Sequence, residues 1–101
     1  MTKHIIETVT FKLNATVTAE QFIKAAQAAN AFIASQDGFV ARRLSHTPEG
    51  EWIEHIEWET MEAAQNAAQM LGKVEANGPF LAAIDGPSVV MRHSTLAVSV
   101  A

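Results

Sequence analysis

From His4 to Leu13 apolar and polar residues alternate. Ile5, Val9, Phe11 and Leu13 fall on one face, and Thr8, Thr10 and Lys12 on the other. A period of two predicts a half-buried β-strand. Glu7 interrupts the apolar face. Thr18-Ala-Glu-Gln21 then has the spacing of a capping box, and Phe22, Ala25, Ala26, Ala29, Phe32 and Ile33 recur at helical spacing. This predicts one helix running from Thr18 to a stop at Asp37-Gly38, with small alanines that let it lie close on a sheet.

Phe39–His46 and Glu51–Trp58 read as the arms of a hairpin around Thr47-Pro-Glu-Gly50. In the second arm Trp52, Ile56 and Trp58 share a face with a second carboxylate, Glu54. Carboxylates are seldom buried unless paired, so one of the facing arginines is its expected partner. A two- or four-residue turn sets Arg43 across from Glu54. A three-residue turn with Gly50 as a bulge brings Arg42 near it diagonally, and Val40 and Leu44 then join the apolar face.

Thr60 suits the cap of a second helix, with Met61, Ala64, Ala67, Ala68, Leu71 and Val74 as its apolar stripe. Gly72 weakens its last turns, and Asn77-Gly78 ends it. Pro79 suits the first position of a short helix, Phe80 to Asp85, placed like a flap over whatever the second helix covers. Gly86-Pro87 turns the chain into a last strand, Ser88 to about Val100. Val89 and Met91 share a face with His93, and a change of phase follows. The end of so long a strand is expected to pair with another subunit. The order strand, helix, strand, strand, helix, short helix, strand is the ferredoxin-like βαββαβ arrangement, an α+β fold with an antiparallel sheet. Its usual strand order, 4-1-3-2, puts Glu7 between Glu54 and His93.

Composition narrows the function. The 101 residues are expected to form one domain, 1–101, with a thin core that suits sharing with a second copy. A net charge of −4 and the lack of a basic cluster beyond Arg42-Arg43 argue against nucleic acid. The absence of cysteine excludes disulfides, thiol catalysis and cysteine-bound zinc. No apolar stretch is long enough for a signal peptide or a membrane span, so the expected address is cytoplasmic, without a membrane partner.

Ile6–Leu13, Gly38-Phe39, Trp52–Trp58, Glu59–Gln65 and Val89–His93 together resemble the dimeric α+β barrel proteins. The likeness is strongest to the small antibiotic-biosynthesis-monooxygenase-like members. The resemblance implies a homodimer whose sheets face each other, with a small-molecule pocket between sheet and helices in each subunit. Some such proteins oxidise polycyclic phenols with oxygen and no cofactor, and Trp58 matches an aromatic of their pocket. Haem-degrading relatives use a histidine on the second helix, and residues 60–85 contain none.

Glu7, Glu54, His93 and an arginine on one face would form a polar cluster among apolar walls. Burial and a second carboxylate both favour a base that titrates high. For a cofactor-independent oxygenase, Glu7 or His93 is the candidate base. Arg43 or Arg42 is the partner of the substrate anion, with Glu54 beside it and Trp52 and Trp58 as flat walls. The expected cofactor is none, and the expected metal is none. Glu7, Glu54 and His93 are ligand types that iron or manganese accepts, but no short His-x-His spacing supports a metal. The competing readings are a non-catalytic small-molecule-binding barrel and a plain structural dimer. In those, Glu7 braces His93, Glu54 pairs with an arginine, and the tryptophans are packing anchors. His4, His46 and His55 are expected to face solvent or an interface.

Overall fold

The structure is a computed structural model that describes residues 3–100. The expected domain span of 1–101 therefore extends past the described residues at both ends. The elements are β1 (Ile5–Phe11), α1 (Ala19–Ala28), α2 (Asn30–Ser35), β2 (Phe39–His46), β3 (Trp52–Trp58), α3 (Met61–Leu71), α4 (Gly78–Ala82) and β4 (Val90–Thr95). Short 3-10 turns flank α4 at Glu75–Asn77 and Gly86–Ser88. The four strands form one antiparallel sheet in the order β2-β3-β1-β4, the ferredoxin-like α+β topology expected from the element order.

The predicted first helix is two helices. Thr18 and Gln21 close the capping box, but the helix breaks at Ala29. The cause lies on another element. The Arg42 guanidinium on β2 donates to the Ala26 carbonyl at 2.8 Å and to Asn30 Oδ1 at 2.7 Å. A side chain inserted at a helical carbonyl disrupts the local ladder. The second long helix also stops early, at Leu71. Gly72 caps it, and the chain from there to Asn77 continues only as a 3-10 turn. The last strand is shorter than its sequence pattern predicts. It ends at Thr95, where β1 runs out of partners, and Leu96 makes one further bond to the His4 carbonyl.

The hairpin takes the bulged register. Thr47 and Glu51 close a three-residue loop, Pro48 to Gly50, with Gly50 at φ +90°. Leu44 faces Glu54, and Arg42 faces Ile56. A second irregularity lies at the start of β2, where register shifts between Phe39 and Ala41. It corrects the expectation for Val40, which stands 40% exposed instead of joining the apolar face. Phe39 takes that place and meets Trp58 edge to face, with ring centres 5.9 Å apart.

The helices cover the face of the sheet that carries Glu7, Trp52, Glu54, Ile56 and Trp58. On this side the core divides into two clusters. Phe11, Phe22, Ala26, Trp52, Phe80 and Ala83 form one; Ala29, Ile33, Ile56, Trp58, Ala64 and Ala67 form the other. Glu54 sits on β3 between their two tryptophans.

Gly38 turns the chain from α2 into β2 at φ +81°, and a Cβ there would lie 2.6 Å from the Ala63 Cβ. Gly50 has a similar φ but open space around it. Gly38→Ala is therefore expected to cost clearly more than Gly50→Ala, whose penalty is the backbone term of about 1–2 kcal/mol. Chemical denaturation of both variants checks this, and equal losses would count against the close approach of α3 to the Gly38 turn.

Candidate active site

β1 is the inner strand between β3 and β4, and Glu7 lies at its middle. Its Cα partners are Ile56 on one side and His93 on the other. The odd-numbered face points under the helices, so the Glu7 side chain is buried. Its Oε1 accepts a hydrogen bond from the Trp58 indole Nε1 at 3.1 Å. The His93 Nε2 stands 3.8 Å from the same oxygen, too far for a hydrogen bond, and is itself buried without a partner. Glu7 titrates above the ordinary carboxylate range because burial removes it from water. Trp58 and His93 hold it back in part, and the Glu54 charge adds to the rise.

Glu54 is a paired carboxylate. Arg42 grips it with two donors, Nε to Oε1 at 2.5 Å and an Nη2–H to Oε2 at 3.2 Å. Both side chains are over nine-tenths buried. The guanidinium also lies 5.4 Å from the centre of the Phe80 ring.

A cavity of about 290 Å³ lies over these groups, between the two core clusters. Glu7 and Glu54 are the charged side chains of its wall. The rest is apolar, with Phe11 and Ile56 from the sheet and Ile33, Phe80, Leu81 and Met91 around them. The segment above it is latched to β1 and the turn after it. Asn14 donates to the carbonyls of Ala82 and Ile84, the Asn14 amide donates to Ala83, and the Asp85 amide donates to Lys12.

The structure brings Glu7, Glu54, His93 and Trp58 together and corrects three sequence assignments. Arg43 is not at the site. The bulged turn puts it opposite His55 on the other face of the sheet, where it is exposed, and Arg42 takes its place. Trp52 is not a wall of this cavity. It is buried against Phe22, with ring centres 4.8 Å apart, and His46 stacks on it at 4.4 Å. Trp58 is not a wall of this cavity either; it is buried with Ile33, Ile56 and Ala64 and reaches the site only through its hydrogen bond to Glu7. Of the other histidines, His4 bonds Glu57 and His55 is exposed. The upper walls follow the sequence reading: Ile33 belongs to the predicted first-helix stripe, Phe80, Leu81 and Ile84 to the predicted short flap, and Val89 and Met91 to the face shared with His93. Asn30 carries a signal of its own, as a polar residue amid the alanine stripe that meets Arg42.

Among the described residues no group of three histidine, cysteine or acidic side chains is disposed to hold a metal. The chemistry agrees, since Arg42 occupies both oxygens of Glu54 and leaves only Glu7 and His93. Among the same residues no helix is long and apolar enough to cross a membrane.

The sequence matches no protein-family model and no curated protein sequence. Solved structures match its fold. SnoaB of Streptomyces nogalater, described as a cofactor-independent oxygenase, is 15% identical with a TM-score of 0.69, over 98% of this chain and 96% of that one. A Bordetella bronchiseptica protein provisionally named an antibiotic biosynthesis monooxygenase is 13% identical, with a TM-score of 0.80 over 95% and 99% of the two chains. A Thermobifida fusca protein described as dimeric, ferredoxin-like and of unknown function is 12% identical, with a TM-score of 0.71 over 93% and 92%. The chain thus has the fold of antibiotic-biosynthesis-monooxygenase-like proteins. At these identities the likeness is one of fold.

Breaking the buried pair from one side leaves an uncompensated charge. Arg42→Met is expected to lower stability by about 3–5 kcal/mol, and adding Glu54→Leu should recover most of the loss. Arg43→Met should stay within about 0.5 kcal/mol of the parent. Urea denaturation of the set tests the assignment, and a loss at Arg43 as large as that at Arg42 would contradict it.

Proposed function

We propose that the protein is a cofactor-independent monooxygenase that oxidises a small aromatic or polyketide-like substrate in the cavity beside Glu7. The observation that carries this reading is a carboxylate of raised pKa on the floor of an otherwise apolar cavity, held by Trp58 and faced by His93. Such a group is suited to act as a general base near neutral pH. The monooxygenase descriptions of the SnoaB and Bordetella structures support it.

Glu7 Oε1 is engaged by Trp58, and Oε2 has no hydrogen bond among the described residues. Oε2 takes a proton from an activated CH₂ of a phenolic ring system. The electron pair stays on the substrate as a delocalised carbanion, and the protonated Glu7 returns a hydrogen bond to it. The carbanion gives one electron to oxygen, and the resulting radical and superoxide combine to a carbon-bound peroxide. Loss of the second C–H proton breaks the O–O bond. One oxygen atom stays as a carbonyl and the other leaves as water. The substrate supplies all four electrons. Trp58 orients the carboxylate, His93 passes the proton onward, and the apolar walls keep water from the carbanion. We further propose that the protein works as a homodimer. Among the described residues no helix covers the sheet face carrying Arg43, Ile53 and His55, and the Thermobifida structure is described as dimeric.

One observation favours a second reading, a binding protein without turnover. Arg42 is bonded to Glu54, Ala26 and Asn30, and among the described residues no arginine lines the cavity to hold a substrate anion.

Glu7→Gln separates the readings. Under the oxygenase reading it lowers oxygen uptake with a hydroxylated anthrone by about 10²–10⁴-fold. Undiminished uptake by the variant would remove Glu7 from the chemistry, and no uptake by the parent protein would leave the binding reading. The same substitution has a stability signature. A carboxyl whose pKa is raised by folding adds stability below its unfolded value, and that stability is lost as pH rises through the folded value. Glu7→Gln is therefore expected to raise the melting temperature relative to the parent at neutral pH. The difference should close in acid, below the ordinary carboxylate value of about 4.3. Thermal melts across pH check the sign.

A further inference from the structure

The cavity offers acceptors and almost no donors. Among the described residues its wall carries two carboxylates, Glu7 and Glu54, and no lysine, arginine or histidine. The donors nearby are committed elsewhere. Arg42 spends its nitrogens on both oxygens of Glu54, on the Ala26 carbonyl and on Asn30. The Trp58 N–H is directed at Glu7 Oε1. His93 is the remaining cation candidate. It stands behind Glu7, with Nε2 at 3.8 Å from Oε1, and is not part of the cavity wall.

A ligand hydroxyl entering this space finds the second oxygen of Glu7 and gives it the hydrogen bond it lacks. A ligand carboxylate finds the Glu7 charge at short range and no free counter-ion, since Arg42 is already paired with Glu54. In an apolar cavity that repulsion is several-fold stronger than in water. The ligand's own oxygens would also be left without donors, at the full cost of their desolvation. At about 290 Å³ the space is near the lower bound of ordinary ligand cavities, about 300 Å³, which suits two or three fused rings.

We propose that the cavity selects uncharged fused-ring ligands that donate a hydrogen bond from a hydroxyl to Glu7, and that it rejects the same skeleton bearing a carboxylate. This rests on the proposed function only in placing the ligand beside Glu7. The selectivity belongs to binding and does not require turnover.

Equilibrium dialysis of the parent protein at mildly alkaline pH, with 2-naphthol, 2-methoxynaphthalene and 2-naphthoate as probes, tests it without any variant. The expected order has 2-naphthol about tenfold tighter than 2-methoxynaphthalene, the yield of one hydrogen bond. It should be at least about a hundredfold tighter than 2-naphthoate. In Glu7→Gln the gap between naphthol and naphthoate should narrow. Naphthoate binding as tightly as naphthol to the parent, no binding of any probe, or a gap unchanged in Glu7→Gln would each overturn the proposal. Oxygen uptake with a hydroxylated anthrone is scored separately. The expected order of affinities without oxygen uptake would end the oxygenase reading and uphold the selectivity.

Discussion

A buried charge must find its counter-charge within the protein, and the Arg42–Glu54 pair meets that constraint at the centre of this fold. Glu54 lies on β3 between two tryptophans, where an unpaired carboxylate would be costly. Arg42 satisfies it with two donors and reaches on to the Ala26 carbonyl of α1 and the Asn30 side chain at the start of α2. One side chain therefore joins β2, β3 and the break at Ala29. The pair also leaves a polar seam between two apolar clusters. Aliphatic side chains there would let the clusters merge. The seam and Glu7 lie along the floor of the space between them.

The two carboxylates differ in electrostatic fate although both sit on inward positions of neighbouring strands. Glu54 has a cation held in fixed geometry. Glu7 has an indole donor and a histidine just beyond bonding distance, and burial dominates its titration. The fold thus makes one acidic residue structural and leaves the other chemically available. A buried carboxylate without a paired cation, like Glu7, is a recurrent feature of sites that move protons.

Much of this was legible in the chain because period-two alternation is a strong signal and a carboxylate inside it is conspicuous. The facing of Glu7, Glu54 and His93 follows from alternation and strand order alone. The identity of the arginine did not, because it hangs on a single residue of turn length. Pro48-Glu49-Gly50 accommodates the bulge that selects Arg42 over Arg43. The break at Ala29 was invisible for a different reason. An alanine-rich stretch contains no breaker, and the disruption comes from a side chain on a different element. Trp52 and Trp58 look alike in sequence. Both prove to be core residues: Trp52 packs against Phe22 and His46, and Trp58 meets the site only through its bond to Glu7. The upper walls of the cavity come from segments whose apolar positions were legible, but how closely they approach Glu7 depends on short connections that carry no periodic pattern.

The bond from Trp58 to Glu7 has an optical consequence. The chain has two tryptophans. One donates its indole proton to a carboxyl whose charge changes within the folded state, and the other is stacked on the imidazole ring of His46. Indole emission is sensitive to the field and to quenchers at such distances. Intrinsic fluorescence of this protein is therefore expected to respond to protonation of Glu7 as well as to folding, so a change in emission with pH would not by itself be a sign of unfolding. The same coupling makes Trp58 a native reporter, needing no label, of whether the Glu7 carboxyl carries its proton.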